Sequence, residues 1–283
     1  MRLRTLPLSL SGVITGLALA SDETFLDTAT VWALLLTAVF LQILSNLSNE
    51  LGDTLHGTDR ADRQGIHYAL QDGEMSIPQM RRFIAVMVAL CSCSGLLMIF
   101  FSFGKLFALQ PLLFVFLGAA AIWAAMHYTL GRNPYGYRGL GDVYVFVFFG
   151  LAAVLGSAYI CAHGFCLEWL FPACGIGCFC VGVLNVNNIR DAKSDAETRV
   201  TTALKLGMRK ARMYQILLIV SGWLFFALYT FVSRTSCWYL LTLPFFVFHL
   251  IGVWHREDRR LDPMLPLLVL STFATALLFA LGM

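Results

Sequence analysis

Charge is what this chain has little of. Only 13% of its 283 residues are Asp, Glu, Lys or Arg, against roughly 25% in an average soluble domain. No polar stretch is long enough to fold as a soluble domain, and nothing in the basic residues points to nucleic acid. Metal sites built from Cys and His are excluded as well. The eight cysteines sit almost wholly in apolar runs. Cys91, Cys93, Cys174, Cys178 and Cys180 show no metal-site spacing tied to His, so they read as packing residues. Proline and glycine are sparse in the two longest polar loops, about 49–82 and 189–212, which excludes disordered linkers there.

What the chain has in abundance is hydrophobic sequence, 58% of all residues. It divides into nine apolar segments, at about 6–20, 29–48, 83–103, 107–128, 142–163, 167–188, 213–232, 237–254 and 264–282. Most reach the ~20 residues needed to cross a hydrocarbon core, and the first is short and rich in Ser and Thr. The expected class is an all-α membrane protein, one transmembrane domain over 1–283 with its helices around a central cavity. Eighteen of the twenty Lys and Arg fall at the N-terminus or in the loops after segments two, four, six and eight, leaving Lys105 and Arg234 opposite. By the positive-inside rule that face is cytoplasmic, and nine spans put the C-terminus outside. Arg2, Arg4 and the following apolar stretch to Ala18-Leu19-Ala20 have features of a signal peptide. Polytopic proteins often begin this way, and the segment is expected to be retained.

One phrase occurs twice. Asn46-x-x-Asn49-x-x-x-Asp53 recurs as Asn185-x-x-Asn188-x-x-Asp191-x-x-x-Asp195, each at the end of an apolar run. On a helix, steps of three and four residues bring Asn46, Asn49 and Asp53 to one face, and likewise Asn188, Asp191 and Asp195. Four helices separate the copies, which predicts two parallel half-repeats, about 1–140 and 141–283, with both polar faces on the same side. Polar groups at the end of a membrane helix are unfavourable without a partner. Hard oxygen donors suit Mg²⁺, which usually also holds a substrate phosphate. Diphosphate chemistry at a membrane is the expectation. Asp59 and Arg60 extend the first set of candidates. Arg190, Lys193 and Arg199 extend the second as phosphate contacts. A third cluster, Tyr128 to Asp142, packs glycines, Pro134, tyrosines, Arg132 and Arg138 into one loop on the same face.

These residues carry a family resemblance. The chain resembles the UbiA-type intramembrane prenyltransferases across essentially its whole length. Within them it is similar to members that prenylate 1,4-dihydroxy-2-naphthoate on the way to menaquinone. The likeness rests on Arg4-Thr5-Leu6-Pro7, on Asn49…Asp53…Gly57-x-Asp59, and on Tyr128-Thr129 followed by Tyr137-x-Gly139-Leu140-Gly141. It rests also on Asn187-Asn188-x-Arg190-Asp191-x-x-x-Asp195 leading to Leu206-Gly207. It implies nine transmembrane helices, a bacterial plasma-membrane location, and transfer of a polyprenyl group from its diphosphate to the aromatic acid with loss of CO₂. It further implies Mg²⁺ held by Asn49, Asp53, Asp59, Asp191 and Asp195. Arg60, Asn188, Arg190, Lys193 or Arg199 would meet the diphosphate. Tyr128 would steady the leaving group or cation, and Arg132 or Arg138 the acceptor carboxylate. Glu50 stands where the family commonly has Asp, Asp142 where Glu is frequent, and Glu197-Thr198-Arg199 in place of a Gly-Lys. Acceptors such as 4-hydroxybenzoate, homogentisate or a tetrapyrrole are the alternatives within the chemistry, and a secondary transporter is the alternative outside it. A CDP-alcohol phosphotransferase would need an Asp-Gly-x-x-Ala-Arg phrase that this sequence lacks.

Overall fold

The computed structural model describes residues 5–57, 69–70, 72–196 and 198–283. Among the described residues nine apolar helices carry the fold: α1 (Leu6–Ser21), α2 (Thr28–Leu55), α3 (Ile77–Phe103), α4 (Leu109–His127), α5 (Gly141–Ala162), α6 (Leu167–Arg190), α7 (Met208–Ser233), α8 (Trp238–His255) and α9 (Asp258–Leu281). Eight are long and apolar enough to cross a bilayer, and α1 is a shorter apolar helix of 16 residues. The protein is an integral membrane protein and all-α as expected, with eight helices of spanning length where nine spans were expected and α1 the short one.

Local chemistry sets several ends. The Asp27 carboxylate accepts the Thr30 N–H at 2.8 Å and starts α2. Ser76 and Gln79 form a capping box at the start of α3. Gly104, at φ 65°, stops α3 in the left-handed conformation a Cβ disfavours.

Helix α6 is the axis of the bundle. In its most apolar window 78% of residues are buried, against 11–44% in the other spans. Crowding of that order requires small side chains. A Cβ at Gly150 of α5 would sit 2.6 Å from the Gly177 Cα, and one at Gly175 would sit 2.8 Å from the Phe226 ring. Backbones therefore approach closely here, as small-residue faces permit in membranes. The cysteines of α6 serve the same end: Cys178 and Cys180 are free thiols buried among its neighbours.

Helix α5 is not α-helical throughout. Residues Phe146–Ala152 form a π-helical turn. Its cavity-lining positions recur every four residues, from Tyr144 through Phe148, Ala152 and Gly156 to Ile160. A pure α-helix of 3.6 residues per turn would rotate such a series off the cavity. The wider turn brings it back, in keeping with the frequent placement of π turns at functional sites.

Candidate active site

A cavity of about 560 Å³ runs between α1, α2, α4, α5, α6 and α9, within the range of small-molecule sites. One end is polar and the rest is apolar. Asn49 and Asp53 from α2, Asn187, Asn188, Arg190 and Asp191 from α6, and Arg199 all line it. The two copies of the repeated phrase thus face one space.

Local structure explains how they get there. Helix α2 continues past its apolar run to Leu55, so Asn49 and Asp53 ride on its last turns rather than in a loop. Helix α6 ends at Arg190, with Asp191 as its C-cap. Carboxylates are disfavoured at helix C-termini, where the macrodipole is already negative. Asp53 and Asp191 both occupy such positions. Cations offset that cost, and among the described residues Arg199 and Arg190 serve these two carboxylates.

The first is Arg199. Its guanidinium lies 2.7 Å from Asp195 and 3.9 Å from Asp53, with side-chain exposures of 10%, 1% and 3% for the three groups. It also lies over the Tyr137 ring, 5.7 Å from the centroid. Burial works against its charge, but the fields of Asp195 and Asp53 outweigh that and hold its pKa above the ordinary arginine value. Tyr137 donates its hydroxyl to Asp53 at 2.8 Å. The loops carrying Arg199 and Tyr137 are tied by the Val200 N–H on the Tyr137 carbonyl at 3.0 Å. Thr129, from the same α4–α5 loop, donates to the Ser48 carbonyl at 3.0 Å and to the Asn49 side-chain oxygen at 3.2 Å. A Cβ at Gly52 would sit 2.6 Å from the Thr129 Cβ, so only glycine lets this loop reach α2.

The second cation is Arg190. It grips Asp191 through both carboxylate oxygens at 2.7 Å, and also donates to Asn187 at 2.7 Å and Asp262 at 3.1 Å. Such a fork–fork geometry is the strongest that arginine makes with a carboxylate. A further polar set, Thr5, Gln42 and Asn46, is joined by Gln42 donating to Thr5 at 2.9 Å and Asn46 donating to Thr5 at 3.1 Å.

Below these groups one wall is aromatic. Tyr135 and Tyr144 stack with centroids 3.8 Å apart, Tyr128 meets Tyr135 edge-on at 5.4 Å, and Tyr144 leads to Phe148 at 6.2 Å. All four line the cavity. Burial raises the Tyr135 phenol's pKa, with the neighbouring Tyr128 and Tyr144 acting in the same direction, so it stays protonated.

The structure does not bring every expected residue to the cavity. Asp195 is wholly buried on Arg199 and does not line it, because the chain breaks at Asp191 into a separate short helix, Ala192–Asp195. Lys193, on that short helix, is 81% exposed and pairs with Asp258 at 2.6 Å. Arg132 and Arg138 are exposed on the α4–α5 loop and do not line the cavity. Asp59 and Arg60 lie outside the described residues. Glu50 is buried but accepts the Leu70 N–H at 3.2 Å and does not line the cavity. Site contacts that the repeated phrase did not flag are Tyr137, Tyr135, Tyr144 and Asp262. The aromatic spacing in 128–144 was the available signal for the tyrosines. No pattern in the sequence marks Asp262, which reaches Arg190 from the start of α9.

Among the described residues no three His, Cys, Asp or Glu side chains cluster as a metal site. The oxygen-bearing side chains that line the polar end include the carboxylates of Asp53 and Asp191 and the amides of Asn49 and Asn188. That set fits an ion which keeps several positions for substrate phosphate and water, as Mg²⁺ does.

Comparison with known proteins identifies the family. Residues 9–264 match the family described as the UbiA prenyltransferase family. The chain is 38% identical to the 1,4-dihydroxy-2-naphthoate octaprenyltransferase of Escherichia coli (strain K12), covering all of this chain and 92% of the relative. It is 37% identical to the protein of that name from Haemophilus influenzae, over all of this chain and 93% of the relative. In fold it is similar to the apo structure of a UbiA homolog from Aeropyrum pernix K1, with a TM-score of 0.74, 98% of each chain covered and 15% identity.

Proposed function

The chain belongs to the UbiA prenyltransferase family, and from that membership we propose that it transfers a polyprenyl group from polyprenyl diphosphate to 1,4-dihydroxy-2-naphthoate. The observation that carries the proposal is the meeting of two acid-bearing helix ends, Asp53 and Asp191, at the polar end of an otherwise apolar cavity. Near-complete coverage of relatives named for this reaction, at 37–38% identity, supports the acceptor.

In the reaction the allylic C–O bond breaks and its electron pair leaves with diphosphate. The ring carbon that bears the carboxylate attacks the freed prenyl carbon, and the carboxylate departs as CO₂. Its electrons restore the ring, giving a prenylated naphthalenediol, the reduced form of demethylmenaquinone, with no net proton required. Asn49, Asp53, Asp191 and Asn188 would hold Mg²⁺, which neutralises charge on the leaving diphosphate when bound. Arg190 and Arg199 add fixed positive charge at the same end. Tyr128, Tyr144 and Phe148, which line the cavity, offer aromatic surface to the allylic cation. Arg132 and Arg138 do not line the cavity, and we assign the acceptor carboxylate to the arginines that do, Arg190 and Arg199. Apolar walls take the prenyl tail and keep water from the cation. The positive-inside distribution puts the cavity mouth and the N-terminus in the cytoplasm and the C-terminus outside.

The test is mass spectrometry of products from purified protein, Mg²⁺, a polyprenyl diphosphate and 1,4-dihydroxy-2-naphthoate. The expected product is the decarboxylated, prenylated diol, abolished by EDTA and by Asp53→Ala or Asp191→Ala. Near-normal transfer by either variant, or product only with another aromatic acid, overturns the assignment.

A further inference from the structure

Glycines in this bundle fall into two kinds. Those at helix crossings are crowded, as at Gly150 and Gly175. Gly118 on α4 and Gly156 on α5 differ: both line the cavity, and a Cβ added at either would meet no heavy atom within 4 Å. Glycine weakens a helix interior relative to alanine, so neither helix packing nor helix stability accounts for these two. Their neighbours one turn away share the same face. Phe114 and Ala121 line the cavity beside Gly118, as Ala152, Ala153 and Ile160 do beside Gly156.

Depth follows from helix geometry. Both helices run away from the mouth, where Tyr128 and Tyr144 stand. Ten residues separate Tyr128 from Gly118 and twelve separate Tyr144 from Gly156, so at 1.5 Å per residue they lie roughly 15 and 18 Å below the aromatic wall. An extended chain covers about 3.3–3.6 Å per three backbone bonds, so the four-bond repeat of an isoprenoid covers roughly 4.5 Å. Three to four isoprene units therefore reach the two glycines. We propose that Gly118 and Gly156 set the bore through which donors longer than about four units must pass, and so determine chain-length specificity. The inference rests on the prenyl-transfer reading, and the wild-type control below separates the two.

The experiment compares geranyl diphosphate, with two units, and octaprenyl diphosphate, with eight, as donors for wild type, Gly118→Leu, Gly156→Leu and Ala119→Leu. Ala119 neighbours Gly118 but does not line the cavity. Wild type transferring neither donor would remove the prenyl-transfer reading itself. If wild type transfers both, each glycine variant is expected to keep kcat/KM on geranyl diphosphate within about threefold and to lose at least tenfold on octaprenyl diphosphate. Ala119→Leu should leave the ratio unchanged. Gly156→Ala should fall between. Equal loss on both donors, no loss on either, or the same selectivity from Ala119→Leu would each overturn the proposal.

Discussion

Replacing Arg199 with Gln tests the electrostatic core of the site most directly. The substitution keeps side-chain bulk and some hydrogen bonding but removes the charge that lies 2.7 Å from Asp195 and 3.9 Å from Asp53. Both carboxylates are almost fully buried, at 0% and 2% exposure. Removing one partner from a buried ion pair costs about 3–5 kcal/mol, because the remaining charge is left without compensation. At about 2–4 °C per kcal/mol for a chain approaching this size, the thermal midpoint in detergent should fall by roughly 6–20 °C. Adding Asp195→Asn removes the stranded charge, so the double variant should recover most of the loss while transfer stays impaired through Asp53. The pH dependence has a definite sign. Arg199's folded pKa is raised above its unfolded value. Its contribution is therefore fully present below about pH 12 and is lost only at still higher pH. The wild-type midpoint should show no loss from this group between pH 7 and about 10. A single Arg199→Gln variant within about 2 °C of wild type, or a double variant less stable than the single, would refute the argument that buried charge compensation holds this end together.

Tyr137→Phe removes the hydroxyl that Asp53 accepts at 2.8 Å. Hydrogen bonds to charged groups are worth about 1.5–3 kcal/mol, and kcat/KM for prenyl transfer should fall correspondingly, with folding retained by thermal scan. Gly16→Val drives a side chain into α5, where even a Cβ would sit 2.7 Å from that of Ser157. Overpacking should cost about 1–3 kcal/mol, read as a lower midpoint and unchanged KM. His249→Leu breaks a fully buried chain in which Asn185 bonds Gln215 at 2.9 Å, Gln215 faces the His249 Nε2 at 3.1 Å, and Nδ1 faces the Met264 carbonyl at 3.0 Å. The stranded amide should cost about 1–3 kcal/mol, measured as loss of folded protein on heating. Lys193→Ala, on an exposed pair with Asp258, should change neither midpoint nor transfer rate.

Membrane class, the apolar segments and the two acid-bearing helix ends were legible in the order of residues, because hydrocarbon imposes apolar segments of spanning length on any chain that crosses it. The steps of three and four in Asn46, Asn49 and Asp53 likewise fixed a shared face, since helical periodicity is a local property. Asp191 and Asp195 show where that logic stops. Their spacing is helical, but α6 ends at Arg190 with Asp191 as its cap, one carboxylate faces the cavity and the other is buried on Arg199. Arg190 was expected on the diphosphate and Arg132 on the acceptor carboxylate, and only Arg190 lines the cavity. Which of them reaches the cavity was decided by the α4–α5 loop folding against Gly52 and the second loop. The pairing of Tyr137 with Asp53, 84 residues apart, and the π turn that keeps one face of α5 on the cavity are tertiary outcomes. By itself the sequence determined what solvent each segment must meet and which chemistry the polar residues can perform. Only packing decided which of them share one space, because contacts between distant segments depend on how whole helices cross rather than on any local pattern.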